Sequence, residues 1–383
     1  MRRRTLLSAA LAAALPSLVG CEGLLPARTG RSGTPVRLLL GGDTGFGESY
    51  PVAAAGRRPI IETVGYDHSL EGLAPLLRRA DYSVVNLETP LTTLRSTPLV
   101  GKEYVHWSDF EKAPASLRAH GVSALGLANN HTMDLGLEGL EQTLEALRRH
   151  GLAGFGGGAT AEQAAAPLEK MFTTRGGRSV HVAIFGMFEY RKRYDEVHQF
   201  YAGPSRGGVN RLAIEQFAEQ VAAFRRRAPD GFVIAWPHWG ANYAWRTGQQ
   251  ARAGRALVDA GADMVVGHHG HVLQEVERYQ GKWILYGIGN FMFNAPGRYD
   301  EFPDVLPYGL AVDLAFHDEP RSLPVVRLHP ILSDNSATNF QPRPGDQAVV
   351  ERVLDALSRR ARPATRERMA TASTEVGPCI RLF

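Results

Sequence analysis

The sequence predicts an α/β fold with substantial parallel sheet that finishes in antiparallel strands. Two observations predict the first part. Short apolar runs alternate with longer amphipathic ones, which is the pattern of strand–helix–strand units. Polar motifs follow directly on the apolar runs, where open α/β sheets gather their sites. The third observation is the text from about Leu310 (LAVDLAF, SLPVVRLHPI), which is strand-rich and lacks a helical period.

The elements follow in chain order. Val36–Leu40 is an apolar run of strand length. Leu73–Arg79 reads as helix and Tyr82–Leu87 as strand. Pro114–His120 is a short helix, with Pro114 suited to its first turn. Ala124–Leu127 is a strand. Leu135–Arg149 is a helix with Leu137, Leu140, Leu144 and Leu147 on one face, stopped by Gly151. Strands are expected at Val180–Phe185, Phe232–Trp236, Met264–Val266 and Trp283–Ile288, with helices Ala213–Arg225 and Gln249–Ala260 between them. The domain is expected to span residues 36–335. Residues 336–383 are read as a helix, Ala348–Arg360, and a polar, Arg/Thr-rich tail expected to be loosely ordered.

The N-terminus has a basic start, Arg2–Arg4, an apolar stretch to Leu15 and a breaking Pro16, the build of an export signal over residues 1–20. Leu18-Val19-Gly20-Cys21 has the form of a lipoprotein box, which makes Cys21 the lipidated first residue of an exported, membrane-anchored or periplasmic protein. Residues 21–35 are aperiodic and Gly/Pro-rich, a tether. The chain has 43 Lys+Arg against 39 Asp+Glu. Three of the 43 are the leader arginines, so the remainder is close to neutral. No basic run interleaved with aromatics is present, and nucleic acid is not expected as a partner. With Cys21 acylated, Cys379 has no partner, which excludes a disulfide framework or a thiolate metal site.

Five expected strand ends carry chemistry. LLLGGD ends in Asp43, SVVNLE carries Asn86 and Glu88, ALGLANNH carries Asn130 and His131, VIAWPHWG carries His238, and VVGHHGH carries His268, His269 and His271. One Asp, one Glu, one Asn and several His are oxygen and nitrogen donors without thiolate. They suit one or two divalent ions of Zn, Mn or Fe type. Such a centre activates water and stabilises the attacking and leaving oxygens of a phosphoester or amide. Each motif has a plainer reading: an Asx turn at Asp43, helix capping at Asn130-His131, a core imidazole at His238. Their shared placement favours one site.

On NLETPLT (86–92), NNHTMDLGLEGLEQTLEAL (129–147), HWGANY (238–243), DAGADMVVGHHGHVLQ (259–274) and ILYGIGNFMF (284–293), in that order, residues 36–360 resemble the CapA-type proteins of poly-γ-glutamate capsule synthesis. That family is a branch of the calcineurin-like metallophosphatases. The resemblance implies a sandwich of two mixed β-sheets flanked by helices, in four αββα layers. It implies Asp43 and His271 as ligands of a first metal, and Asn130, His238 and His269 of a second, with Glu88 bridging. His131 would protonate the leaving group and Asp134 would orient it. His268 falls where the family has glycine and is expected beside the ligands or in a structural role. Gly45 stands where the superfamily has a histidine. Asn242 stands where CapA-type proteins often have Glu, and Gly270 where they usually have Pro. Arg191, Lys192 and Arg193 are candidates for lining an anionic polymer, with a solvated loop the preferred reading. The implied partners are a capsule-polymer synthesis complex and an anionic polymer or phosphoester. Two functions compete: a metal-dependent hydrolase, and a non-catalytic metal-binding component of an exopolymer synthesis or export complex. A (β/α)₈ amidohydrolase fits the β-rich end poorly.

Overall fold

The computed structural model describes residues 35–52, 56 and 58–383. The expected leader, tether and Cys21 lie outside the described residues. Among the described residues no helix is long and apolar enough to cross a membrane.

Two sheets stack face to face. The larger runs Met369–Thr374, Gly377–Leu382, Val325–Leu332, Tyr308–Phe316, Val36–Gly45, Tyr82–Leu87, Ala124–Gly126, Ala153–Phe155. Its half from Val36–Gly45 to Ala153–Phe155 is parallel, and the half contributed after residue 308 is antiparallel. The smaller runs Val276–Tyr279, Lys282–Leu285, Met264–Val266, Phe232–His238, Ser179–Phe188, Leu168–Thr173.

The side-chain period of two sorts the apolar residues into layers. Leu38, Leu40 and Val84 of the larger sheet meet Ile184, Ile234 and Trp236 of the smaller in the central core. Their strand neighbours Leu39 and Val85 face outward, onto Leu117 and Leu147 of the helices Lys112–Ala119 and Gly136–Arg149. Val233 and Ala235 likewise face Phe217, Val221 and Leu257 of helices Ile214–Arg227 and Gly248–Asp259. The result is the four-layer αββα sandwich. Burial on both faces explains why these strands read as continuous apolar runs.

Three expectations are corrected. The tail is ordered: Met369–Thr374 and Gly377–Leu382 form a hairpin paired to Val325–Leu332. It had no signal because its outward positions are polar or small. Leu137 does not share the buried face of its helix and is 41% exposed, whereas Leu140 and Leu147 are buried. The helix expected at Leu73–Arg79 is present but shorter, Ala74–Leu77, and is the last of three short helices after Ile61–Val64 and His68–Glu71.

The first strand outruns its expected end at Leu40 and continues to Gly45, with a register shift between Gly41 and Asp43 against its neighbour. The shift turns Asp43 toward the site. It is pinned where the Asp43 N–H donates to Gly289 O at 3.0 Å. A Cβ on Gly42 would stand 1.8 Å from that same oxygen. Gly42→Ala is therefore expected to cost about 2 kcal/mol or more, the range of overpacked cores. Thermal melting of the variant against the parent chain checks this; an unchanged midpoint would disprove the constraint.

Candidate metal centre

The strand ends do converge. Asp43, Glu88, His131, His238, His268, His269 and His271 are all buried, and Glu88 is fully so. Asn130 Oδ1 lies 2.5 Å from His238 Nε2, and His269 Nδ1 lies 2.8 Å from the same nitrogen. Glu88 Oε1 is 3.5 Å from it. Four polar atoms of metal-ligating type, from three strand ends and one loop, thus face a common point. On the other side of Glu88, Asp43 Oδ2 lies 3.6 Å from His271 Nδ1, and the three residues form a second donor group.

Glu88 decides what the arrangement fits. Neither of its carboxylate oxygens accepts a hydrogen bond, though both are buried. Leaving a buried charge without partners costs several kcal/mol. Burial first, then the Asp43 and Asp134 carboxylates, push its carboxyl well above the usual range. Burial likewise pushes His131, His238 and His269 well below the ordinary imidazole range, Lys102 adding to it at His131 and Arg191 at His269. Neutral imidazoles around an orphaned carboxylate form a donor set that a divalent cation would satisfy.

The backbone bends to achieve this. His269 has φ +108° and His271 φ +58°, conformations that cost a non-glycine residue about 1–3 kcal/mol. They bring two residues of one loop to the two donor groups. The His269 N–H donates to Asp43 Oδ2 at 3.1 Å, which ties that loop to the first strand.

The helix-capping reading of Asn130-His131 is answered by their neighbour. Asn129 Oδ1 accepts from the N–H groups of His131 and Thr132, and its amide donates to Leu87 O. The loop is built on Asn129, which leaves Asn130 and His131 free to point inward. His131 Nδ1 lies 2.6 Å from Asp134 Oδ2, and its Nε2 faces Glu88 at 3.9 Å. Asp134 is pushed up to about 6 by burial, against the pull of Lys102 and His106.

Several residues escaped the sequence reading. His106 stacks on His131 with centroids 3.6 Å apart and planes 2° from parallel. Its N–H donates to Asp134 and its Nδ1 meets Glu88 O. Lys102, nearly buried, pairs with Asp134 Oδ1 at 3.0 Å. Both lie in GKEYVHW, a stretch with no strand-end signal. Asn290, also unread, has its Oδ1 2.9 Å from His271 Nδ1, while Asn86, read at its strand end, donates to Asp43 Oδ1. His268 is not in either donor group around Glu88. Its Nδ1 lies 2.8 Å from His238 Nδ1, where it orients that ring from behind. Gly45 leaves room for Phe293, whose ring would lie 3.2 Å from a Cβ there. Arg191 is not in a solvated loop: its Nη2 lies 2.6 Å from Gly240 O and 2.9 Å from His269 Nε2. Lys192 is solvated, at 77% exposure.

A family model described as bacterial capsule synthesis protein PGA_cap matches residues 37–295. The chain belongs to that family. It is similar to the PGA biosynthesis protein CapA of Bacillus subtilis (strain 168), 30% identical over 236 residues, which are 61% of this chain and 59% of that protein. It is also similar to a probable polyglutamine synthesis accessory protein of Mycobacterium tuberculosis (strain ATCC 25618 / H37Rv), 34% identical over 241 residues, 59% of this chain and 60% of that one. The chain thus spans less than two thirds of the length of these relatives. Among solved structures it is similar to the calcineurin-like phosphoesterase YfkN from Bacillus subtilis, with a TM-score of 0.45 and 15% identity over 84% of this chain and 96% of that one. The family match covers every residue of the two donor groups and stops before the antiparallel half of the larger sheet.

The contact to Asp134 fixes the tautomer of His131: Nδ1 carries the proton and Nε2 is bare. Long-range ¹⁵N–¹H correlation of the metal-free chain is expected to show that single tautomer, and Asp134→Asn is expected to shift it toward a mixture. A bare Nδ1 in the parent chain would overturn the assignment.

Proposed function

We propose that this chain is an exported, lipid-anchored, metal-dependent hydrolase that works with a complex making or exporting an anionic capsule polymer of poly-γ-glutamate type. The single observation that carries the hydrolase reading is the Glu88 carboxylate, buried and without a hydrogen-bond partner between two donor groups. The capsule context rests on family membership and on the names of its relatives. The export and lipid anchor rest on the N-terminal pattern ending in Cys21.

In this reading Asn130, His238 and His269 would hold one ion and Asp43 and His271 another, with Glu88 belonging to both donor groups. Zn, Mn or Fe suits the donor set. When bound, the ions supply Lewis acidity and a water of lowered pKa. The chain's own residues do the rest. Asp134 holds the Nδ1 proton of His131, so Nε2 is the atom that handles a second proton. As it stands, burial and Lys102 keep that ring neutral. For the general-acid step Nε2 takes a proton from solvent as an anionic substrate stabilises the charged ring, and passes that proton to the leaving oxygen or nitrogen. The Asp134 carboxylate offsets the ring's positive charge during that interval. His106 stacked beneath, and Lys102 beyond, keep Asp134 in place.

The test is a metal-content and turnover measurement on the full chain. Bound transition metal near stoichiometry is expected, lost in His238→Ala and His269→Ala. Turnover of a general phosphodiester or a γ-glutamyl peptide is expected to fall about 10²–10⁴-fold in His131→Ala, with metal content unchanged. No bound metal after supplementation would overturn the centre itself. Metal retained without turnover on either substrate class would instead identify a non-catalytic metal-binding component.

Metal uptake also has a pH signature. Burial raises Glu88, so the metal-free chain holds a proton there that binding must displace. Affinity is therefore expected to rise with pH up to the raised pKa and flatten above it. Calorimetry in buffers of different ionisation enthalpy is expected to show net proton release; proton uptake would contradict it.

A further inference from the structure

Of the three basic residues in FEYRKRYDE, one reaches the metal centre. Lys192 is 77% exposed, and Arg193 Nη2 donates to Gly101 O. Arg191 instead lies against the His269 ring, with its own side chain 30% exposed. We propose that Arg191 binds an anionic oxygen of the substrate at the rim of the centre, and that ligation of an ion by His269 frees it to do so. This role deepens the hydrolase reading and rests on it.

The fold fixes where Arg191 stands. It follows the strand Ser179–Phe188. Its N–H donates to Tyr201 Oη at 2.9 Å, and Tyr201 Oη donates to Glu189 O at 2.5 Å. One hydroxyl thus pins the main chain on both sides of Tyr190. Tyr201 stacks on Phe188 with centroids 5.6 Å apart, and the guanidinium carbon lies 5.8 Å from the same Phe188 ring. From there the charge of Arg191 reaches Glu88, His238 and His269.

Its hydrogens are unevenly used. Among the described residues, every side-chain hydrogen bond of Arg191 runs through Nη2. That nitrogen lies 2.6 Å from Gly240 O, 2.9 Å from His269 Nε2 and 3.4 Å from Glu189 Oε2. It carries two hydrogens and faces three acceptors. Glu189 is the weakest of them. Charge-assisted bonds run at about 2.7–2.9 Å, and the same Oε2 accepts from the Gly240 N–H at 3.1 Å.

The His269 contact is conditional. A guanidinium only donates, so the contact requires a bare Nε2 and the ring's hydrogen on Nδ1. Yet Nδ1 is the atom that faces the donor group, 2.8 Å from His238 Nε2. A ring that ligates through Nδ1 carries its hydrogen on Nε2. Ligation by His269 and its contact to Arg191 therefore exclude one another. Ligation takes away one of the three acceptors. Gly240 O keeps one Nη2 hydrogen, and the other, with a neighbouring guanidinium nitrogen, presents an open edge. Such an edge takes two oxygens of one anion. A phosphoryl group and a carboxylate both offer that pair.

The experiment uses the full chain loaded with zinc and needs no turnover. Calorimetry measures binding of inorganic phosphate and of glutarate to the parent and to Arg191→Met. At least one of the two is expected to bind about tenfold or more weakly to the variant, the worth of a charge-assisted hydrogen bond. A loss confined to phosphate assigns a phosphoryl oxygen, and one confined to glutarate assigns a carboxylate. Zinc affinity of the chelator-treated chain, measured against a metal indicator, is expected to be equal or tighter in Arg191→Met, because the variant removes the competing contact to His269. A residue that only holds the fold would loosen zinc instead. Long-range ¹⁵N–¹H correlation is expected to place the His269 hydrogen on Nδ1 in the chelator-treated parent and on Nε2 after zinc. Equal binding of both anions by parent and variant, with zinc in place, would overturn the role of Arg191 and leave the hydrolase reading standing. Weaker zinc binding in Arg191→Met, or a His269 hydrogen already on Nε2 before zinc, would overturn it too. A parent that binds no zinc removes the centre and this role together.

Discussion

The structure turns on one buried carboxylate. Glu88 sits at a strand end with no exposure and no hydrogen-bond donor on either oxygen. An ionised group so placed is tolerated when a cation offsets its desolvation. Around it the protein has supplied imidazoles that burial keeps neutral, an amide oxygen and a second carboxylate. Each of these costs stability in isolation. Together they form a site prepared for positive charge, and the left-handed backbone at His269 and His271 is part of what that preparation costs.

A second layer holds the first in place. Asn129 organises the loop that presents Asn130 and His131. His268 meets the far nitrogen of His238, and Asn86 and Asn290 meet Asp43 and His271. Asp134 gathers His131, the His106 backbone and Lys102 onto one carboxylate. Residues behind the two donor groups thus fix the orientation of the rings and carboxylates in them, as expected where ring orientation sets donor strength. Phe293 packs where a residue larger than Gly45 would project.

The sandwich also separates functions along its strands. The carboxyl ends of the parallel strands, all within the family match, carry the donor groups. The antiparallel strands after residue 308 complete the larger sheet and set Asp313, which pairs with Arg37, opposite Arg327, itself opposite Arg381. One strand, Val36–Gly45, thus joins two charged environments of opposite character.

By itself the sequence determined the alternation of strand and helix, because apolar runs of strand length alternate with longer amphipathic ones. It also pointed to the side chains that the strand ends gather, because Asp43, Glu88, Asn130, His238 and the histidines of GHHGH each follow such a run. What it did not determine were contacts made across the sheet or between loops. His106 and Lys102 lie in a stretch without periodicity, and only folding stacks one on His131 and buries the other against Asp134. The C-terminal hairpin looked like a tail because its outward residues are polar, and pairing with Val325–Leu332 supplied its order. Arg191 read as solvent-facing until the Gly240 carbonyl and His269 were placed beside it. Local chemistry is written residue by residue, whereas partners distant in sequence are chosen by register and packing.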